Sequence, residues 1–552
     1  MHIIHVPPAP VAETATEFRV RMRDGVYLAS DLYLPEGAGL TDPGDTILIR
    51  LPYDKSGSYT FIPQIAEYMP RRGYRVLAQD VRGKFRSEGE ALLFVNEQRD
   101  GYDTLDWIEH QPWSNGRVAM WGDSYYGYTQ WAAVAAQHPA LKAIAPRVTG
   151  TMLGEPVHPV GAVRNVEWAV SYLYPLTYFH SQDAYFWEPD PAVRPFAAEC
   201  EKALAEIGSR SISYDQWYPS PVFLRRFPDG HPFDARPVPT LQTVGLWDNC
   251  APLSWADIAE IEARPAWAHN HFLRIEAIDH EGFFFDDPEP VRVEEPSAEI
   301  LAGRIPAMLD PSLDFFEVFV RGNGRASDIP KVSWDHTGTG ETRTSQVWPP
   351  VGTGVRTWEI GDTASSPASS PATWTHDPAS LVPSSVDNAF AYLMVHPDEA
   401  PVGEHGDVLV WDGKVVESPV DFAGPVTAHA VIGSDGPCMD FFVRLLDVAP
   451  DGTALRIARG QVHVADTTVG PVEVSVDLGQ LAYRLHEGHK LRVHVSSSDF
   501  PEFVPLPGTG EDPWGAVEMR ANHQTLVLGG TRGFRIDLTV LESTEENKEI
   551  NA

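Results

Sequence analysis

Cysteine is scarce in this chain, with three in 552 residues, at positions 200, 250 and 438. They are far apart and form no Cys-x-x-Cys pair, which excludes a disulfide framework and a zinc knuckle. Reduced, packed thiols of this kind fit a cytoplasmic protein. Basic residues are few as well: 42 Lys and Arg stand against 77 Asp and Glu, a formal charge of −35. No Lys/Arg run forms a patch for nucleic acid, and an anionic membrane surface would repel such a chain. Long apolar runs are missing. None approaches the roughly 18–20 residues that cross a bilayer, and the first residues, MHIIHVPPAPVAET, lack the basic and apolar blocks of a signal peptide. The charge therefore reads as a bulk solubility property. The partner expected is a small molecule, with neither nucleic acid nor membrane; oligomeric state is not legible.

Hydrophobic residues make up 43% of the chain, enough for more than one core. The first part alternates short apolar strands with helical spacing. FRVRMRDGVYLASDLYLP (18–35) reads as a hairpin about Asp24-Gly25. Strands are expected at 46–51, 74–79, 141–146, 239–245 and 272–277, with helices at 62–72, 98–111, 253–263 and 313–321. This is the pattern of a mostly parallel sheet covered on both faces, in which function collects at the carboxyl ends of the strands. Between 148 and 236 the strand alternation stops and aromatic residues crowd together, which reads as an inserted helical cap. Beyond 322, short strand-like runs separated by Pro and Gly-Asp turns read as an all-β sandwich or jelly roll, with a Ser/Pro-rich surface loop at 364–385. The expected organisation is therefore an α/β core in two parts (1–147 and 237–321), a cap at 148–236, a β domain at 322–543 and a disordered tail at 544–552.

The stretch GRVAMWGDSYYG (116–127) is a strand, a tight turn carrying Ser124, and the start of an alanine-rich helix. A serine in that setting is a nucleophile elbow, and Gly122 and Gly127 would remove side chains where strand and helix nearly collide. The pentapeptide Gly-x-Ser-x-Gly is not met, because Tyr126 stands where its second glycine belongs. Asp248 and His280 each follow a later predicted strand, and the order Ser, Asp, His is that of α/β-hydrolases. Ser124 would attack a carbonyl, His280 would carry the proton, and Asp248 would fix the imidazole tautomer. His271 is a poorer base, since it begins the strand whose far end carries His280, about 20 Å away. Asp279 adjoins His280 in a loop, where neighbours seldom face each other's ring, and Asp123 is expected to cap or pack near the elbow. The backbone N–H of Tyr125 is one oxyanion donor. Tyr53 is a candidate for the second through its phenol, because Pro52 beside it has no N–H to give.

Several motifs resemble the CocE/NonD group of serine hydrolases, which share their fold with the X-Pro dipeptidyl-peptidases. They are RDGVYLASDLY (23–33), PYDK (52–55), QDVRG with SEGE (79–83, 87–90), DTLDW (103–107), GDSYYG with TQW (122–127, 129–131) and LKAIAP (141–146). The β domain adds VDL (476–478), GHKLRV (488–493) and SSSDFP (496–501). The resemblance implies an elbow of the form Gly-x-Ser-Tyr-x-Gly, which accounts for the displaced glycine. It also implies that Tyr53 supplies the side-chain oxyanion donor, that Asp248 and His280 complete the triad, and that no metal or other cofactor takes part. Asn249-Cys250-Ala251 follows the triad acid where amine-directed relatives carry carboxylates, and the extra N-terminal domain usual in the dipeptidyl-peptidases does not precede the hydrolase sheet. The expectation is an esterase or amidase for a small substrate with a hydrophobic group, with Trp168, Tyr172 and Phe283 lining the pocket. Alternatives are cleavage of Xaa-Pro dipeptides, acylase action, and a non-catalytic binding protein that uses its jelly roll.

Overall fold

The computed structural model describes residues 2–5, 8–58, 60–153, 183–186, 190, 192–207, 225–282, 297–361, 371–386 and 396–542. A short ribbon pairs β1 (His2–His5) with β8 (Asp183–Phe186). A ten-stranded sheet is built from β2 (Ala15–Arg21), β3 (Tyr27–Tyr33), β4 (Gly44–Leu51), β5 (Arg75–Asp80), β6 (Ser114–Asp123), β7 (Leu141–Arg147), β9 (Thr240–Gly245), β10 (His271–Glu276), β11 (Val332–His336) and β12 (Glu341–Ser345). Its order is β12-β11-β10-β9-β7-β6-β4-β5-β3-β2. From β5 through β11 every neighbouring pair is parallel, and β12, β3 and β2 turn antiparallel at the two edges.

The central strands are apolar on both sides because both faces are covered. Ile47, Ile49, Val76, Ala119 and Trp121 pack with α1 (Ile62–Tyr68) and the long helix Ala298–Phe319. On the other face Leu48, Leu77, Met120 and Ile144 pack with α2 (Glu97–Glu109) and α3 (Ser124–Ala136). The helix Ala298–Phe319 carries Pro306 and Pro311 in its interior, so only its last turns, from Leu313, were legible as helix. The β11–β12 hairpin belongs in space to this sheet, which runs past the boundary expected at 322.

The remaining strands form two antiparallel sheets with a shared core that includes Val426, Phe441, Val443, Val493, Leu526 and Ile536. The stretch expected to be a surface loop contains the strand Ala372–His376, in which Trp374 is buried in that core. Alternation in Ala-Thr-Trp-Thr-His sends Trp374 and His376 inward, and the Ser/Pro-rich flank obscured that signal. Most of the expected cap, with Trp168 and Tyr172, lies outside the described residues, as do Phe283 and the tail 544–552. Among the described residues no helix is long and apolar enough to cross a membrane.

Candidate active site

Four carboxyl ends of parallel strands converge. Tyr53 follows β4, Ser124 follows β6, Asp248 follows β9, and His280 follows β10. At the elbow Ser124 adopts φ 50°, a left-handed conformation that costs a non-glycine residue about 1–2 kcal/mol. The turn is tight. A Cβ on Gly122 would lie 2.0 Å from Cδ2 of Tyr126, and one on Gly127 would lie 2.5 Å from Cγ2 of Thr149 and 3.1 Å from the Arg147 carbonyl oxygen. The displaced glycine thus has a physical cause. Tyr126 closes over Gly122 within the elbow, while the glycine one place later lets the helix pass the loop after β7. We expect Gly122→Ala to lower stability by about 1–3 kcal/mol, because the buried Tyr126 ring has little room to withdraw. A lowered thermal midpoint together with reduced turnover checks this.

His280 joins the other two side chains. Its Nε2 lies 3.0 Å from Ser124 Oγ, and its Nδ1 lies 2.7 Å from Asp248 Oδ1. Asp248 is buried, and the same Oδ1 accepts the backbone N–H of Cys250 at 2.9 Å. Burial by itself would lower the His280 pKa. The neighbouring Cys250 and Asp248 outweigh it and hold the imidazole well above its ordinary value. The hydroxyl of Tyr53 lies 3.4 Å from Ser124 Oγ, and burial pushes this phenol up to about 12, although its contact with Ser124 acts the other way. It is therefore a protonated donor across the neutral and alkaline range. Tyr125 is the second residue of α3, so its backbone N–H has no acceptor within the helix and stands beside the nucleophile.

The supports of these groups were not legible in the sequence. The Tyr125 phenol donates to Glu97 Oε1 at 2.9 Å and accepts the Phe94 N–H at 2.8 Å, and Arg50 pairs with Glu97 Oε2 at 3.0 Å. Arg50 and Glu97 are fully enclosed, so the elbow rests on a buried ion pair whose rupture from one side would cost about 3–5 kcal/mol. The one available signal was the arginine inside the apolar strand TILIRL (46–51). The loop carrying Tyr53 is pinned by Asp80, which accepts the Lys55 N–H at 2.8 Å, and by Asp54, which accepts the Ala9 N–H at 2.8 Å. Burial pushes Asp80 up to about 7, with Lys55 drawing it down.

The competing residues go elsewhere. His271 is buried at the start of β10, with Nε2 3.0 Å from Gln242 Oε1. Asp279 lies 3.9 Å from His396. Asp123 occupies the N-cap position of α3 without a side-chain cap and pairs instead with Arg147, 2.9 Å away, which also pairs with Glu276. The β domain reaches the acid loop: Trp247 donates its indole N–H to the Arg456 carbonyl at 3.2 Å and meets the Tyr483 ring edge-on at 6.3 Å. Cys250, close to both His280 and Asp248, had no local signature, since its place depends on the turn after Asp248.

Residues 24–262 match the X-Pro dipeptidyl-peptidase (S15) family, and residues 323–534 match the X-Pro dipeptidyl-peptidase C-terminal non-catalytic domain. A cocaine esterase from Rhodococcus sp. is 29% identical over 561 residues, covering 90% of this chain and 92% of its own. A putative serine esterase of Mycobacterium bovis is 39% identical over 147 residues, 23% of each chain. Among solved structures, an α-amino acid ester hydrolase superposes with a TM-score of 0.77 at 21% identity, over 96% of this chain and 98% of its own. An aminopeptidase from a marine sediment archaeon of the Thaumarchaeota also gives 0.77, at 20% identity over 96% of each chain. At such identities the structural likenesses establish a shared fold.

Proposed function

We propose that this chain, a member of the CocE/NonD group of S15-type serine hydrolases, cleaves a small-molecule ester through an acyl-enzyme formed on Ser124. The observation that carries this reading is the continuous chain from Ser124 Oγ to His280 Nε2 and from His280 Nδ1 to Asp248, on an elbow with a left-handed serine. His280 takes the Ser124 proton as Oγ attacks the carbonyl carbon. The negative charge then develops on the substrate oxygen, between the Tyr125 N–H and the Tyr53 O–H. The tetrahedral adduct collapses, His280 hands its proton to the departing alkoxide, and the acyl group stays on Oγ. Water, deprotonated by His280, then releases the acid by the same steps. Asp248 holds Nδ1–H and stabilises the imidazolium throughout.

The β domain braces the Asp248 loop through Trp247, in keeping with the non-catalytic description of the family to which it belongs. The cytoplasm is the compartment we assign, supported by three buried cysteines that form no disulfide among the described residues. A net charge of −35 supports a small-molecule substrate over nucleic acid or an anionic membrane.

A second reading, cleavage after Xaa-Pro, is favoured by the S15 match over 24–262. It requires an anchor for a free amino terminus, and Asn249-Cys250-Ala251 after the acid offers no carboxylate. A panel that sets p-nitrophenyl butyrate against an Xaa-Pro-p-nitroanilide separates the two. We expect turnover of the ester and none of the nitroanilide; preference for the nitroanilide would replace the first reading with the second.

A further inference from the structure

Cys250 Sγ, an imidazole nitrogen of His280 and a carboxylate oxygen of Asp248 all lie within 4.8 Å of one another. They combine a thiol, an imidazole and a carboxylate, the donor set that zinc and its thiophilic relatives favour. Tetrahedral zinc with bonds of the usual length holds such donors about 3.3–3.8 Å apart, so small side-chain rotations close the set. A second observation points the same way. Asp248 Oδ1 is used by His280 and by the Cys250 N–H, but Oδ2 is buried and has no hydrogen-bond partner among the described residues. An unsatisfied buried carboxylate oxygen calls for an ion or a water. Three protein donors leave a fourth position for solvent, and the His280 side chain, 12% exposed, opens the cluster toward the site.

We propose that Asp248, Cys250 and His280 form an inhibitory site for a thiophilic divalent cation such as Zn²⁺, superimposed on the acid–histidine pair. The inference rests on the reading of His280 and Asp248 as triad members. A cation bound through Nδ1 displaces the hydrogen bond to Asp248, and one bound through Nε2 blocks the proton path from Ser124. Either mode stops turnover, and removal of the metal restores it. The Cys250 thiol is the donor that distinguishes this chain's site from an ordinary triad. Its side chain makes or breaks no bond in the reaction, and Asp248 is held by the Cys250 backbone N–H. Because Cys250 helps hold the His280 imidazole high, its loss moves the acid limb of the turnover profile to lower pH, and zinc sensitivity is compared with each variant's own metal-free turnover.

The test compares the wild type with Cys250→Ala and Cys250→Ser. Hydrolysis of p-nitrophenyl butyrate is followed while zinc chloride is titrated, with magnesium chloride as control and EDTA to reverse. Cobalt chloride is added separately, and the near-ultraviolet thiolate-to-cobalt band is recorded. We expect zinc to inhibit the wild type reversibly, magnesium to have no effect, and both variants to retain measurable turnover, with its acid limb moved to lower pH, while losing at least about tenfold in zinc sensitivity relative to their own metal-free rates. The cobalt band should appear in the wild type and in Ser124→Ala and vanish in both Cys250 variants, although Cys200 and Cys438 remain. Equal zinc sensitivity of wild type and variants, or no cobalt band in the wild type, overturns the proposal. Full turnover by Ser124→Ala would overturn the triad reading instead, and the cobalt band, which needs no turnover, keeps the two failures distinguishable.

Discussion

Ser124→Ala should reduce hydrolysis of a p-nitrophenyl ester roughly a millionfold, to the floor of the assay, and abolish labelling by a fluorophosphonate. The size of the loss follows from covalent catalysis. Without Oγ no acyl-enzyme forms, and His280 has nothing to activate but water, held in no defined position. Labelling is the more decisive readout, because the probe needs only the activated serine and not a correctly chosen substrate. Undiminished labelling in the variant would place the nucleophile elsewhere. The substitution also replaces no packing: the serine side chain is small, and alanine tolerates the left-handed backbone about as poorly as serine does. Circular dichroism and thermal unfolding should therefore remain close to those of the wild type, which separates lost chemistry from lost folding.

The sequence was most informative where chemistry and topology coincide. Ser124, Asp248 and His280 each directly follow an apolar run, and a parallel sheet brings the carboxyl ends of such runs to one edge regardless of their separation along the chain. Tyr53 was different. A phenol after Pro52 has no local pattern that marks it as a donor, and only resemblance to a family selected it over an ordinary loop tyrosine. Arg50 and Glu97 escaped notice for a related reason, since a buried ion pair between a strand and a helix 47 residues apart leaves no periodic trace. Sheet membership was the weakest inference. The strands Val332–His336 and Glu341–Ser345 look like the β runs that follow them, yet the first pairs with His271–Glu276, the strand that His280 follows, the second pairs with the first, and together they extend the hydrolase sheet. Pairing between strands more than 50 residues apart is decided by which edge is open, and chain order does not reveal that. Prolines at 306 and 311 concealed the first half of a helix in the same way that a Ser/Pro-rich flank concealed Trp374.

Tyr53→Phe should lower kcat by about 10²–10³-fold, with little change in KM, if the phenol donates to the oxyanion. The effect depends on when the hydrogen bond of the phenol matters. In the resting site the hydroxyl lies 3.4 Å from Ser124 Oγ, a long contact that contributes little to the ground state. As Oγ attacks, negative charge appears on the former carbonyl oxygen, and a donor already held by its loop strengthens its bond to that charge without reorganising. A contact that tightens only in the transition state is felt in kcat and not in substrate binding. The loop is held by Asp80 and Asp54 through backbone N–H groups, neither of which involves the phenol, so phenylalanine keeps the ring edge-on to Tyr126 and removes only the O–H. The donor must also remain protonated while the reaction runs. With its pKa pushed up to about 12 by burial, Tyr53 keeps its proton throughout the range in which ester turnover can be measured, so the wild type should show no alkaline loss attributable to this group below about pH 11. A Tyr53→Phe variant with unchanged kcat and a raised KM would assign the phenol to substrate binding instead. The Tyr125 N–H would then act with a different partner, which the same pair of constants, measured on variants of the 52–56 loop, would locate.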